Sequence, residues 1–132
     1  MKLYISDHLG VHKTTIQIEN WFKEHGHEVH WNMYYEPKEA EWCDIALFEW
    51  CEGMYDLYQK DGWCKKKPTF CRAMDIEIWS GQDHNMNLGE LAGLAYTSKY
   101  MWEIMREDEP YDPVKLWPSL KTAHIPLSVD MR

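Results

Sequence analysis

The sequence predicts an α/β fold: a Rossmann-like, doubly wound domain with a mostly parallel sheet flanked by helices. Apolar segments typical of strands alternate with helix-forming segments along the whole chain. The segment CDIALFEW (43–50) is largely apolar, which is the pattern of a parallel strand buried on both faces. The length of 132 residues is enough for one domain with its own core, so residues 1–132 are predicted to form a single domain.

The first predicted helix is the clearest element. Residues 11–26 repeat apolar or small side chains at steps of three and four, and Gly26 ends the pattern. The residues of this face are Val11, Thr15, Ile18 and Phe22. Strands are predicted on either side of the helix, at 2–6 and 27–35.

The remaining elements continue the alternation. They are a polar connection with one helical turn at 36–42, a third strand at 43–50, a helix at 52–63 closed by Gly62, a fourth strand at 67–74, a loop at 81–87, a fifth strand at 91–98, a helix at 99–108, and a last short strand with its exit at 120–130. Residues 109–119 carry three of the six prolines and are predicted to be loop. The basic run at 65–67 is predicted to be a solvated helix end.

Composition excludes several classes of function. The formal net charge of −8 argues against a nucleic-acid partner, because phosphate binding needs a basic face. No apolar run approaches the ~20 residues of a transmembrane helix. The four cysteines form no C-x-x-C pair and no signal-peptide pattern opens the sequence, so the chain is predicted to be cytoplasmic with reduced thiols. The histidine spacing predicts no metal site, and no cofactor is predicted.

Polar side chains gather where the predicted strands end. They are Asp7 after strand one, Glu49 after strand three, Arg72, Asp75 and Glu77 after strand four, and Ser98 after strand five. In a doubly wound fold the carboxyl ends of the strands meet at one edge, where ligands bind. Buried charges need partners or a cleft, so these residues are candidates for a site. Polar residues are also typical of loops in general, and the pattern alone leaves that interpretation open.

Other doubly wound functions fit less well. The loop after strand one has one glycine and lacks the lysine of a P-loop, although a helix N-terminus there could hold an anion. A receiver domain needs an acidic pair after strand one, and only Asp7 stands there. A flavodoxin-like domain needs a Ser/Thr-rich phosphate loop at the same place, so it ranks last.

Six segments, taken in order, resemble one family, the N-terminal, acceptor-side domain of GT-B glycosyltransferases of family 4. They are MKLYISDHLG, WFKEHGHEV, WCDIALFEWCE, KPTFCRAMDIEIW, LAGLAYTSKYMWEIM and HIPLSVDM. The fourth is similar to a KP-x-x-x-R-x-H-x-x-E segment, and the last is similar to an IPNGVD exit toward a second domain. The resemblance covers essentially the whole chain and implies that it is a single GT-B half.

The resemblance implies roles for particular residues. Gly10 would lie in the loop that faces the transfer centre, and Arg72, Glu77 and Ser98 match the family's arginine, glutamate and serine. Asp75 or Glu77 is expected to orient or polarise an acceptor hydroxyl, and Arg72 to pair with them or to hold an anionic acceptor. Asp7 and Glu49 are expected to line the same cleft. The partners implied are a hydroxyl acceptor and a nucleotide-sugar donor, the donor bound by a C-terminal domain that is missing or separate.

Two departures from the family pattern favour an alternative. Met74 stands where the family often has histidine, and a thioether neither takes nor gives a proton at neutral pH. Leu127 and Ser128 replace the Asn-Gly of the exit. Since no donor domain follows Arg132, the chain alone is not expected to transfer sugar. The alternative is a non-catalytic binding or assembly module that contacts a partner chain or a second copy, with the segment 111–120 as a candidate docking segment or as a simple cover of the sheet.

Overall fold

A computed structural model describes residues 1–7, 13–49, 53–73, 87–107 and 112–125. The strands are β1 (Lys2–Asp7), β2 (Glu28–Asn32), β3 (Ile45–Glu49), β4 (Thr69–Ala73), β5 (Gly93–Tyr96) and β6 (Thr122–His124). The helices are α1 (Lys13–Glu24), α2 (Pro37–Trp42), α3 (Gly53–Lys60), α4 (Lys99–Glu107) and α5 (Pro113–Leu116). Two 3₁₀ turns lie at Trp63–Lys65 and Leu88–Glu90.

The six strands form one sheet in the order β2-β1-β3-β4-β5-β6. All of its strand pairings are parallel. The chain runs from β1 to β2 in one direction and from β2 onward in the other. This reversal is the defining feature of a doubly wound sheet, and it confirms the predicted fold class.

Helices cover both faces of the sheet, and the two cores are unequal. On one face α1 packs Ile18 and Phe22 against a small cluster that contains Leu3, Ile5 and Val29. The opposite face carries the main core. Helices α2, α3 and α4 and the second 3₁₀ turn pack over this core. Its members are Tyr4, Ala40, Cys43, Ala46, Phe48, Tyr55, Tyr58, Cys71, Leu88, Leu91, Leu94 and Trp102.

The predicted alternation of strands and helices is confirmed element by element within the described residues. The helical face of α1 points inward as the spacing predicts, with Thr15 buried and Ile18 and Phe22 in the core. Gly26 and Gly62 both have a φ of 82°, the left-handed conformation that ends a helix and that L side chains adopt only with strain. Val11 and nearly all of the predicted loop at 81–87 lie outside the described residues.

One local prediction is wrong, and another is confirmed only in part. The proline-rich segment contains the helical turn α5, because the Asp112 side chain accepts a hydrogen bond from the Val114 amide (3.0 Å) and Pro113 occupies the first turn. The basic run is a solvated helix end at two of its three residues, because Lys65 ends the first 3₁₀ turn and both Lys65 and Lys66 are exposed. Lys67 Nζ donates to the carbonyl oxygens of Glu41 (3.0 Å) and Cys43 (2.5 Å), which lie at the carbonyl end of α2.

Helix length also bears on membranes. The longest described helix, α1, has 12 residues, and none of the described helices could cross a bilayer.

Candidate functional site

Three charged residues form a row across neighbouring strands at the carboxyl edge of the sheet. Asp7 of β1 is paired in register with Glu49 of β3, and Glu49 with Arg72 of β4. Side chains alternate along a strand, so all three point to the face that α1 covers. All three are buried, with exposed fractions of 0 %, 1 % and 6 %. The sequence placed them at one edge, and the structure brings them into adjacent positions.

The row lies at the point where the direction of winding reverses. After β1 the chain forms β2 on one side of it. The chain then returns past β1 and forms β3 on the other side. In doubly wound sheets the strand connections diverge at this point, and ligands usually bind in a crevice beyond the carboxyl ends of the two strands. Asp7 and Glu49 are the last residues of β1 and β3, so they lie at the edge where this crevice is expected.

Glu49 fixes the position of Arg72. The Arg72 Nε donates to Glu49 Oε2 at 2.6 Å, and the two side chains are 7 % and 0 % exposed. In such a pair the attraction offsets the cost of taking both charges out of water only with good hydrogen-bond geometry. Within the described part of the chain, the Nη2 group of Arg72 has no hydrogen-bond acceptor. It is therefore a donor that this site can offer to an acceptor oxygen.

Thr15 ties helix α1 to the end of β1. Its hydroxyl donates to Asp7 Oδ2 at 3.0 Å, and both residues are buried. The spacing of apolar residues in α1 predicted only that Thr15 lies on the inward face of the helix. The hydrogen bond gives it a second role, because it orients the carboxylate at the end of β1.

Ser98 lies at the same edge beyond β5. It is half-buried and directly precedes α4, and its carbonyl oxygen accepts the first helical hydrogen bond, from the Trp102 amide (3.0 Å). The ring of Trp102 stacks on Tyr96 with centroids 4.5 Å apart and planes 4° apart. This contact fixes the start of α4, and with it Ser98, against the end of β5.

Three of the predicted site residues cannot be placed. Gly10, Asp75 and Glu77 lie outside the described residues, so their roles stay predictions. The counter-charge that the structure gives to Arg72 is Glu49, whereas the sequence assigned Arg72 to Asp75 and Glu77.

Histidines in the described ranges make local contacts. His30 accepts or donates a hydrogen bond with Glu39 at 2.6 Å and stacks on Trp42, and His25 stacks on Trp21. No group of three or more histidine, cysteine, aspartate or glutamate side chains in those ranges could hold a metal ion. His8 and His12 lie outside them.

A second concave feature was not predicted. An open groove of about 740 Å³, here called the sheet groove, lies on the α1 face over β4, β5 and β6. Its walls and floor are mostly apolar, and Arg72 contributes to its lining. Its lining includes Trp21, Phe22, Phe70, Lys121 and Ile125. Sequence periodicity could not reveal the groove, because the position of the groove depends on which strands α1 covers.

Comparisons with known proteins add no relative. No model of a known protein family matches the chain, and the comparisons with curated proteins and with solved structures found no match.

Proposed function

We propose that this chain is the acceptor-side domain of a GT-B glycosyltransferase that transfers a sugar from a nucleotide sugar to a hydroxyl acceptor in the cytoplasm. The donor nucleotide sugar would be held by a second domain. The acceptor would bind in the crevice at the carboxyl edge of the sheet.

The row of Asp7, Glu49 and Arg72 is the observation that supports this proposal most. Glu49 and Arg72 come from the segments WCDIALFEWCE and KPTFCRAMDIEIW, on which the family resemblance rests. The geometry pairs these two segments on neighbouring strands and joins their polar ends by a hydrogen bond of 2.6 Å. An arginine held in this way is pre-organised, which lowers the entropic cost of binding an acceptor oxygen.

The proposed chemistry assigns separate tasks to the acidic and basic groups. Asp75 or Glu77 polarises the acceptor hydroxyl, because a carboxylate can accept its proton as the hydroxyl oxygen bonds to the sugar. The bond between the sugar and the donor's phosphate breaks in the same transfer, and the nucleotide leaves with that phosphate oxygen. Arg72 orients the acceptor through a guanidinium N–H. Met74 cannot serve as a base, so the proton has to pass to one of the carboxylates.

Binding measurements on the chain itself test the proposal. We expect hydroxyl acceptors such as mono- and disaccharides to bind in a saturation-transfer NMR screen, and nucleotide sugars not to bind. Glu77→Gln and Asp75→Asn should weaken acceptor binding, whereas Glu103→Gln on the exposed side of α4 should leave it unchanged. Binding of nucleotide sugars without binding of any acceptor would assign the chain to the opposite half of the enzyme.

An assay of transfer tests the catalytic roles. In a complex with its donor domain, Glu77→Gln and Asp75→Asn should lower kcat by about 10²-fold or more if these groups act as the base. Unchanged kcat in both variants would refute the site assignment.

The alternative is a non-catalytic binding or assembly module. The sheet groove favours it, because an apolar face that no described helix covers is typical of an interaction site. Within the candidate docking segment, Trp117 and Leu120 pack against the main core, so they cover the sheet. Leu116 is exposed, and Tyr111 lies outside the described residues. In this alternative, acceptors do not bind and the groove carries the function.

A further inference from the structure

The loop that follows β2 is held in place by side chains from three elements of the fold. Its consecutive backbone amides at 34–36 all donate hydrogen bonds to side chains. These bonds join Tyr34 N to Asn32 Oδ1 (3.1 Å), Tyr35 N to Met54 Sδ (3.0 Å) and Glu36 N to the Tyr4 hydroxyl (3.2 Å). The acceptors belong to the end of β2, the start of α3 and the middle of β1. Surface loops are usually more mobile than the elements they connect, so bonds of this kind make the loop a pre-organised one.

Within this loop, Tyr34 is fixed through its backbone. Besides the bond of its amide, its carbonyl oxygen accepts a hydrogen bond from the hydroxyl of Tyr4 (3.2 Å), a fully buried residue. The neighbouring Tyr35 uses its side chain for the fold, because its hydroxyl donates to Asp61 (2.5 Å). The side chain of Tyr34 is instead 61 % exposed. The fold therefore holds the main chain of Tyr34 at both polar groups and leaves most of its side chain accessible.

The loop lies at the carboxyl edge of the sheet, where the acceptor is proposed to bind. Asn32, the last residue of β2, is paired with Ser6, which directly precedes Asp7 in β1. Tyr34 is two residues further along the chain, and the next amide contacts Met54 at the start of α3, the helix that follows β3. Since β1 lies between β2 and β3, the loop crosses from the end of β2 toward α3 at the carboxyl end of β1.

We propose that Tyr34 is the residue on which the sugar ring of the acceptor stacks, so that the acceptor is a pyranoside and not an acyclic alcohol. This inference rests on the proposed function and adds a specificity-determining residue to its site. A pyranose ring has a face of C–H groups, which is apolar and packs on an aromatic ring. A tyrosine side chain has two χ angles, so on a fixed main chain it loses little conformational entropy when it binds.

The spacing of the strands suits this division of tasks. Asp7 and Glu49 end the first and the second strand beyond β2, ~5 and ~10 Å away by the spacing of neighbouring strands. One or two sugar rings reach over such a distance. The ring of Tyr34 then holds the apolar face of the acceptor, and polar groups at the strand ends bind its hydroxyl groups.

Binding of small glycosides to the chain tests the proposal. The probes are methyl glucoside, methyl galactoside and methyl mannoside, with glycerol as a hydroxyl compound that has no ring and uracil as a planar base. We expect an NMR titration to show that at least one glycoside binds, and binds more tightly than glycerol. Its ring C–H protons should shift upfield on binding, as protons over the face of an aromatic ring do.

Variants locate the contact. Tyr34→Ala should weaken binding of that glycoside by about tenfold and remove the upfield shift, as expected for loss of an aromatic anchor. Tyr34→Phe should keep the affinity within about twofold, because stacking uses the ring and not the hydroxyl. Tyr100→Ala is the matched control, since Tyr100 is 72 % exposed on α4. Circular dichroism checks that each variant is folded.

Failure of this inference and failure of the proposed function give different results. Equal binding of the glycoside to Tyr34→Ala, or binding of glycerol as tight as that of the glycosides, would overturn the role of Tyr34 and leave the acceptor-side domain standing. Binding of uracil in place of the glycosides would show that the ring holds a base, which also overturns the inference. If no hydroxyl compound binds, the inference and the proposed function are both wrong.

Discussion

Glu49 and Arg72 show how a buried ion pair makes each partner depend on the other. The two side chains are almost fully enclosed and joined at 2.6 Å. Removing one partner leaves the other charged in a low-dielectric site, which is more costly than losing the contact.

We therefore predict that Glu49→Gln lowers the free energy of unfolding by about 3–5 kcal/mol, as does Arg72→Met. The double variant should be more stable than the sum of the two losses implies, because no isolated charge remains. Urea denaturation of the four proteins measures this coupling. Lys60→Met is the control, since the exposed pair of Lys60 with Asp56 (2.9 Å) should contribute under ~0.5 kcal/mol to stability. Additive losses of stability in the Glu49 and Arg72 variants would contradict the interpretation.

The free energy of unfolding should depend on pH in the alkaline range, because the fold buries thiol and phenol groups in their neutral form. Burial raises the pKa of the thiols of Cys43 and Cys64 above the ordinary value of 9.0. Burial likewise raises the pKa of the phenols of Tyr4 and Tyr58 above 10.0. In each case the fold favours the protonated form.

The sign of the effect follows from these pKa shifts. Below the ordinary values both states are protonated and the contribution to stability is complete, and above them only the unfolded state releases the proton. The free energy of unfolding should therefore fall as the pH rises from about 9 to 11, by up to ~1.4 kcal/mol per pH unit for each group. Denaturation by urea at several pH values measures it, and Tyr58→Phe should make the fall above pH 10 less steep; a constant free energy over this range would refute the argument.

Some residue roles were visible in the sequence and others were not. Asp7, Glu49 and Arg72 were found because strand ends are predictable from apolar patterns. The partner of Arg72 was not, because register between distant strands is a tertiary property. Lys67 was missed for a similar reason, since the carbonyl groups that it binds belong to a helix 24 to 26 residues earlier in the chain.

Among the secondary-structure elements, the glycines that follow helices are the clearest local signals of where a helix ends. Gly62 follows α3, and its amide donates to the Gln59 carbonyl at 2.8 Å. Its φ of 82° is left-handed, and no atom lies within 4 Å of the position of a Cβ. A substitution here is therefore opposed by the backbone conformation and not by a clash.

We predict that Gly62→Ala lowers the free energy of unfolding by about 1 kcal/mol. Gly62→Asn should cost less and Gly62→Val more, because asparagine tolerates the left-handed region and a β-branched side chain does not. Thermal denaturation ranks the three variants. Gly26→Ala, with the same φ of 82° and an equally open site, should repeat the effect; an equal loss for all side chains at position 62 would point to some other cause.

Element type was predictable wherever a local pattern was strong. The spacing of α1 and the apolar runs of β1 and β3 gave the right elements because burial imposes a period on the sequence. The turn α5 was missed because prolines were taken to exclude a helix, whereas Pro113 stands in the first turn, where no amide hydrogen is needed. The signal was present in the pair Asp112 and Pro113, a typical helix start.

For the whole molecule, the two faces of the sheet contribute unequally to stability. Phe48 is fully buried in the main core, and its ring lies 4.8 Å from Tyr58 and 5.7 Å from Tyr55 between centroids. Phe22 belongs to the smaller core, is only half-buried and borders the sheet groove.

We predict that Phe48→Ala lowers the free energy of unfolding by about 3–5 kcal/mol and that Phe22→Ala costs roughly 1–2 kcal/mol. Chemical denaturation of both variants provides the comparison. Equal losses in the free chain would show that the smaller core contributes as much per side chain as the larger one.

The strand order and the open groove could not be predicted from the sequence. A parallel sheet is assembled from contacts between residues far apart in the chain, and local patterns fix the strands without fixing their neighbours. The alternation of elements indicated a doubly wound fold, and the structure adds the order with β3 next to β1. The adjacent positions of Asp7 and Glu49 follow from that order.

The charged row also bears on how the strands find their correct alignment during folding. Register between parallel strands is set by which side chains fall on which face, and a slip of one residue exchanges the two faces. If β3 slipped by one residue against β1, Glu49 would point into the main core, in the layer that Phe48 fills, and Arg72 would lose its partner. The same charges at the carboxyl edge therefore disfavour mispaired sheets of this sequence.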